Sequence, residues 1–326
     1  MLLSPENMTF EDKTFSMIIY GSPGIGKTTL ALSAPSPVLL DFDKGVARVK
    51  AYHRTPTIKA TTYEEVLNDM ASPEMQNFKT VVIDTGGSFV TFLQDWAMRT
   101  DPKTNCQKNG AISLKGFGAV KAEFQRFTNW VRDTLNKNII YVFHSNEQTG
   151  TDGNTQQRLL CEGAVRNIVW QPCDFGGYMQ MIGNQRTIAF TPDQEYFAKG
   201  CFGIEGIRKL KTLKETDAND FISKLFEEAR VNIAKESEVF APIREKYEAI
   251  IAQAAALIEQ VDSTDAANAL ATAIPKMDHA LTSLTEIRTM FSEKCSALGY
   301  VWDKATKQFK EREAADSTVA AEEGQA

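Results

Sequence analysis

The stretch that decides the fold is Phe15-Ser-Met-Ile-Ile-Tyr20, then Gly21-Ser-Pro-Gly-Ile-Gly-Lys-Thr28, then Thr29-Leu-Ala-Leu-Ser33. The first piece is a short apolar run and reads as a buried strand. The second is a complete G-x-x-x-x-G-K-[ST] pattern, and Thr28–Ser33 reads as the start of a helix. A strand, a glycine loop and a helix in this order gather backbone N–H groups and a positive helix end around a phosphate chain. Gly21, Gly24 and Gly26 let the backbone wrap closely, and Ser22, Pro23, Ile25 and Thr29 complete the wall. Lys27 is expected to reach the β- and γ-phosphates of a nucleotide, and the Thr28 hydroxyl to bind Mg²⁺. The alternative is a structural glycine turn.

Downstream, Phe78-Lys-Thr-Val-Val-Ile-Asp84-Thr85 is an apolar strand that ends in an acid. Open α/β sheets bind ligands outside the carboxyl ends of their strands. Asp84 is therefore the candidate for holding the Mg²⁺ shell, its alternative being a cap on the helix at Gly86–Thr91.

Further elements follow by period and punctuation. Val38–Asp41, Thr80–Asp84 and Asn138–Phe143 read as strands. Tyr63–Met70, about Ser88–Met98 and Phe117–Leu135 read as helices, the last with a core-facing stripe of Phe124, Phe127, Trp130, Val131 and Leu135. Residues 100–113 read as a loop. Residues 145–157, polar and without an apolar period, read as a mobile surface loop. Arg158–Cys161 and Glu195–Lys199 read as strands, and Ala164–Val169 as a helical turn. Tyr178–Ile182 and Arg186–Thr191 flank Gly183-Asn184, a hairpin signal. The class is α/β, with a mixed sheet that is parallel at its centre and carries the nucleotide site.

The composition shifts near residue 211. Ala218–Ile233, Ile243–Val261 and Lys276–Leu298 carry helical periods, with Pro242 and Pro275 at helix starts and Gly299 as a stop. Tyr300–Phe309 reads as a small hairpin. The expected organisation is a lead-in at 1–13, a P-loop domain at 14–210, a helical region at 211–299, a hairpin at 300–310 and a disordered tail at 311–326.

The chain has 326 residues, 43% of them hydrophobic, which is ample for a full core. Its net charge is −6, roughly +1 over residues 1–210 and roughly −7 beyond. That balance argues against a generic DNA-coating protein and directs any nucleic-acid contact to the first part. Five cysteines without C-x-x-C spacing and three histidines imply no zinc site and fit reduced thiols. Neither a leader signal nor a membrane-spanning apolar run is visible, so an intracellular, non-membrane protein is expected.

The core over roughly 14–210 resembles the phage nucleotide-binding ATPases of the RecA-like P-loop class, some of which are single-strand annealing or recombination ATPases. Four stretches carry the likeness: Ile18–Thr29, Leu39-Leu-Asp-Phe-Asp43, Val82-Ile-Asp-Thr85, and Tyr141-Val-Phe-His-Ser-Asn-Glu147 with Asp174-Phe-Gly-Gly-Tyr178. The C-terminal third matches nothing in that class. The resemblance implies an ATP- and Mg²⁺-dependent ATPase in the cytoplasm of a bacterial host, acting in phage or prophage recombination, annealing or replication. It implies Asp43, and second Asp41, as the carboxylate that activates water. The class more often has glutamate there, and the alternative is that both acids cap a turn before Gly45. It implies His144, where the class usually has an amide, as the γ-phosphate sensor, against a satisfied histidine at a strand end. It places a DNA-binding loop at 145–157 for single-stranded DNA, against a plain mobile or partner loop. It likens Lys199 to a basic residue inserted into a neighbour's site, against an ordinary exposed lysine. Two rival functions stay open: a nucleotide-gated interaction module with little or no hydrolysis, and a phosphotransferase, disfavoured because no lid with clustered arginines is visible. The acidic C-terminal helices are expected to serve a homo-oligomer or a recombination partner, or else to form a small covering bundle.

Overall fold

A computed structural model describes residue 10 and residues 13–149 and 155–311. The expected tail beyond residue 311, most of the 1–13 lead-in and positions 150–154 lie outside the described residues. In chain order the elements are β1 (Ser16–Gly21), α1 (Lys27–Ala31), β2 (Pro37–Asp41), β3 (Thr57–Lys59), α2 (Tyr63–Met70), β4 (Thr80–Asp84), α3 (Gly86–Thr100), α4 (Pro102–Asn105) and α5 (Leu114–Asn129). They continue with β5 (Asn138–Thr149), β6 (Thr155–Leu159), α6 (Val165–Ile168), β7 (Phe175–Ile182), β8 (Gln185–Ala189), β9 (Ile207–Lys209) and α7 (Phe221–Glu238). The last five are α8 (Ala241–Glu259), α9 (Thr264–Ala273), α10 (Ser283–Ala297), β10 (Tyr300–Asp303) and β11 (Gln308–Glu311).

One sheet runs β3-β2-β4-β5-β1-β7-β8-β9, parallel from β3 to β7 and antiparallel at β8 and β9, with β6 paired to β5 off this path. The parallel centre requires both faces to be covered. β1 and β4 are accordingly buried along their whole length. Alternate side chains feed two apolar layers. Ile18, Tyr20, Leu40, Ile83 and Tyr141 pack with Val66 of α2, Phe89 and Leu93 of α3, and Phe124 and Phe127 of α5. Met17, Ile19, Leu39, Val82 and Ile140 face the other way, onto Leu30 of α1 and Ile222, Leu225, Phe226 and Ala229 of α7. The result is the expected α/β sandwich with a mixed, centrally parallel sheet.

The order puts β5 between the loop strand β1 and the acid strand β4. Its register pairs His144 with Gly21 and Val142 with Asp84, so the ends of three strands meet at one edge. Asp174, just before β7, accepts from the backbone N–H of Ser16 at 2.9 Å and from Lys13 Nζ at 3.1 Å, which pins the start of β1.

Several expectations need correction. The described residues of 145–157 are strand rather than loop: β5 runs on to Thr149 and pairs antiparallel with β6, Ser145 opposite Leu159 and Thr149 opposite Thr155. A two-stranded ribbon leaves most of its side chains half or fully exposed, so it has no apolar period to read. Glu195–Lys199 makes only isolated bridges, Gln157 with Tyr196 and Gly176 with Lys199, and the added strand is β9. The helix expected from Lys276 begins at Ser283, and Pro275 lies in a 3₁₀ turn that closes α9. α9 itself was not anticipated, because its buried residues Ala267 and Leu270 sit among alanines and give little contrast. Its cap was visible: the Ser263 side chain accepts from the Ala266 N–H.

Two compact units are present, Phe10–Ile233 and the part from Ala234 on. The composition shift at residue 211 thus precedes the change of unit. In the second unit Ile250, Ala254 and Ile258 of α8 pack with Leu270, Ile287, Phe291 and Cys295. The hairpin joins them through Phe309, 5.4 Å ring to ring from Phe291. α7 belongs largely to the sheet unit, and each of its buried large apolar side chains contributes about 1.5–3 kcal/mol. A chain ended at Lys211 is therefore expected to be insoluble or molten, since domains have a margin of only about 5–15 kcal/mol. A chain ended at Glu238 is expected to melt cooperatively, and circular dichroism with size-exclusion chromatography compares the two.

Candidate nucleotide site

The loop between β1 and α1 has the geometry its glycines predict. Gly24 and Gly26 have φ of +77° and +100°, a region that side-chain-bearing residues rarely occupy. A Cβ at Gly21 would stand 2.4 Å from the Met179 carbonyl oxygen, so it is that position which the neighbouring strand closes sterically. α1 is short, five residues, and supplies little macrodipole; the loop backbone itself forms the cradle.

Lys27 is 5% exposed and folds back over the loop, donating to the carbonyls of Gly21 at 3.0 Å and Ser22 at 2.9 Å. Burial brings its pKa down to about 8, with Asp84 and Asp43 opposing that shift. Its Nζ also lies 3.3 Å from His144 Nδ1. An ammonium only donates, so Nδ1 is the acceptor and the imidazole proton belongs on Nε2. That Nε2 faces Asp43 Oδ2 at 3.9 Å. Desolvation first, then the Lys27 charge, holds His144 below the usual histidine range, so the ring is neutral at pH 7.

On β4 the Asp84 carboxylate accepts from Thr28 Oγ1 at 2.6 Å. The helix cap is Thr85, whose hydroxyl accepts from the Ser88 N–H, and Asp84 is left free to face the loop. Burial pushes the Asp84 carboxyl up to about 6, partly offset by Thr28. The main chain ties the cluster together, since the Asp84 carbonyl accepts from the N–H of Phe42 at 2.9 Å and of Asp43 at 3.3 Å.

The two acids after β2 differ. Asp41 is 2% exposed and spends both oxygens on the N–H groups of Gly45, at 2.7 Å, and Val46, at 3.0 Å. It caps that turn, so for Asp41, the second choice for the base, the capping alternative holds. Asp43 is partly exposed, accepts from Ser88 Oγ and turns its other oxygen to His144. Lys27, Thr28, Asp43, Asp84 and His144 therefore converge, whereas Lys199 lines a separate cavity with Arg158 and Arg166.

A cavity of about 640 Å³ opens beside the loop, lined by Gly24, Gly26, Thr29, Leu30, Arg186 and His53 among others. Lys27, Thr28, Asp43 and Asp84 do not line it. Asn219 closes one wall by donating to the Thr29 carbonyl at 2.8 Å. His53 is buried and its Nε2 has no hydrogen-bond partner among the described residues. Arg186, Ser88, His53 and Asn219 escaped the sequence reading. Only Arg186 carried a signal, as a cation just after the Gly183-Asn184 hairpin turn.

Among the described residues no group of three or more His, Cys, Asp or Glu side chains could hold a metal ion by itself. The Thr28–Asp84 pair offers hard oxygen donors of the kind Mg²⁺ takes alongside substrate phosphates and water. A desolvated carboxylate with a raised pKa is also one that a cation would recharge. The residues present thus fit a Mg²⁺–nucleotide. No helix among the described residues is long and apolar enough to cross a membrane. No curated protein matches the sequence. The family model described as an AAA domain matches residues 13–202, from the residues before β1 to those after β8. With the glycine loop, the acid strand and the parallel sheet all inside that match, the chain belongs to the AAA domain family.

Proposed function

We propose that this chain is a Mg²⁺-dependent ATPase, and the observation that carries the reading is the convergence of Lys27, Thr28, Asp84 and Asp43 beside the glycine cradle. The loop N–H groups and Lys27 would hold the phosphates, with Lys27 exchanging two carbonyl contacts for phosphate oxygens. Thr28 and Asp84 would hold Mg²⁺, which supplies charge neutralisation between the β- and γ-phosphates. Asp43 would take the proton of the attacking water. Neutral His144, kept in one tautomer by Lys27, would offer its Nε2–H near that carboxylate and the terminal phosphate. The base and ribose would enter the cavity that His53, Asn219 and Arg186 line.

Asp43→Asn tests the assignment of the base. ATP binding is expected to stay nearly intact and hydrolysis to slow about 10²-fold, the lower end for a lost general base. A variant that turns over at the wild-type rate removes Asp43 from that role. A second reading, a nucleotide-gated module that hydrolyses slowly, is favoured by one contact: Ser88 already occupies an Asp43 oxygen. The setting in phage or prophage DNA recombination, annealing or replication, in a bacterial cytoplasm, rests on the likeness of the quoted motifs. Within it, single-stranded DNA would meet the β5–β6 ribbon, and the C-terminal helices would serve self-assembly or a recombination partner.

A further inference from the structure

A second cavity, of about 490 Å³, lies at the root of the β5–β6 ribbon, lined by Arg158, Arg166, Lys199, Trp170, Phe197 and Gln148, with Tyr20 and Asn167 beside them. Its chemistry is one-sided. Three cations converge, and no aspartate or glutamate is among the residues that line it. None of the three is within ion-pair distance of a carboxylate among the described residues. Burial, with Tyr20 opposing and the Arg166 charge adding to it, holds Arg158 below the usual arginine range, and a bound anion would favour its charged form.

The cavity also offers flat surfaces. The Arg158 guanidinium lies 3.8 Å from the centroid of the Phe197 ring, and that ring is 6.3 Å from Trp170. Phe197 is 42% exposed, a large apolar ring left in solvent beside cations. Exposed rings and guanidinium planes stack nucleobases, and Gln148 and Asn167 bring amides that can bond base edges. A small anion would satisfy the cations and leave the rings and amides unused. A phosphate-linked base would use all of them, and the volume suits a small ligand group.

We propose that this cavity holds one nucleotide of a single-stranded nucleic acid, its phosphates on Arg158, Arg166 and Lys199 and its base against Phe197 and the Arg158 plane. The inference deepens the DNA role proposed above and rests on that reading, but it moves the contact from the polar ribbon to the basic and aromatic pocket at its root. It also gives the contact a route to the nucleotide loop. Tyr20 lines the pocket and donates its hydroxyl to the Phe197 carbonyl at 2.5 Å, and the next residue, Gly21, begins the cradle.

The test uses the full chain and a fluorescein-labelled oligo-dT of about 15 nucleotides, read by anisotropy across a salt series. Arg166→Gln with Lys199→Gln keeps the side-chain stems and removes two charges. The affinity is expected to fall at least about 10-fold, and the slope of log K against log salt to flatten by about 1.4, near 0.7 per phosphate contact on a single strand. Phe197→Ala is expected to cost about 5-fold or more with the slope unchanged. Binding of a fluorescent ATP analogue, measured in parallel, is expected to be the same in all variants. Oligo-dT affinity equal to wild type in both variants, or no oligo-dT binding by the wild type, overturns the proposal whatever ATP does. Loss of oligo-dT binding as expected in a chain that does not bind the ATP analogue upholds the pocket and overturns the ATPase reading instead.

Discussion

Lys27→Ala is expected to remove most Mg²⁺-ATP hydrolysis, by about 10²-fold or more, while far-ultraviolet circular dichroism stays that of the wild type. The size follows from what the residue would supply. Phosphoryl transfer is catalysed by position and charge, and a preorganised donor aimed at developing charge is commonly worth two to three orders of magnitude. The fold is expected to survive because Lys27 contributes little to it. Its ammonium is desolvated, with a pKa lowered to about 8, and among the described residues it hydrogen-bonds two carbonyls and an imidazole, with Asp84 and Asp43 acting on it by charge. A lysine with a lowered folded-state pKa binds its proton less well than the unfolded chain does. Its contribution to stability therefore rises with pH between about 8 and 10.5, and at neutral pH its charge opposes folding. A folded variant that hydrolyses ATP at the normal rate would refute the whole nucleotide reading.

The second large effect has two signs. Asp84→Asn is expected to weaken Mg²⁺-dependent ATP binding at least about 10-fold and, in nucleotide-free protein at pH 7–8, to raise stability by up to about 3 kcal/mol. The carboxyl's pKa lies at about 6 in the folded chain against an ordinary 3.8. Between those values the folded state keeps a proton that the unfolded state has released. Stability from this group is therefore present below 3.8, falls as pH rises to about 6, and is flat above. Asparagine removes the buried charge and retains an acceptor for Thr28. Urea unfolding at pH 7.5 and pH 5 checks this: the gain should shrink at the lower pH. For the wild type, Mg²⁺-ATP affinity should decline as pH falls below about 6, a loss the variant should not show. A variant less stable than wild type at both pH values would mean that the Thr28–Asp84 hydrogen bond outweighs the desolvation of the acid.

Much of the sheet unit could be read beforehand because a parallel strand buried on both faces has to be a run of apolar residues. β1, β4 and the first half of β5 announce themselves in this way, and the loop glycines mark the turn between β1 and α1. The convergence of His144 with Lys27 could be expected only through resemblance. It depends on β5 lying between β1 and β4, a pairing that no local pattern encodes. Asp41 and Asp43 look alike in sequence, and what separates them is the turn at Gly45 and Val46, whose N–H groups take up both oxygens of Asp41, while Asp43 turns to Ser88 and His144. The β5–β6 ribbon was hidden because a half-solvated ribbon of Ser, Asn, Glu, Gln and Thr obeys no hydrophobic period. Arg158 lies on β6, Arg166 on α6 with Trp170 in the turn just after it, and Phe197 on a loop far along the chain, so no single spacing marks the pocket. The boundary near residue 233 was hidden for the opposite reason. α7 is as amphipathic as the helices after it, and only the sheet face it covers shows where it belongs.

β5 is one uninterrupted strand from Asn138 to Thr149. It carries His144 beside the Lys27 ammonium and, four residues on, Gln148 in the basic pocket, a separation of about 13 Å at roughly 3.3 Å per residue. An extended strand is nearly inextensible, so it acts as a tie-rod rather than a tether: a shift of the histidine end along the strand axis must reappear at the glutamine end. The same stiffness makes the spacing intolerant of editing. One inserted residue between 144 and 148 would turn every later side chain of the strand to the opposite face of the ribbon, exchanging the residues shown to the pocket for those shown to solvent.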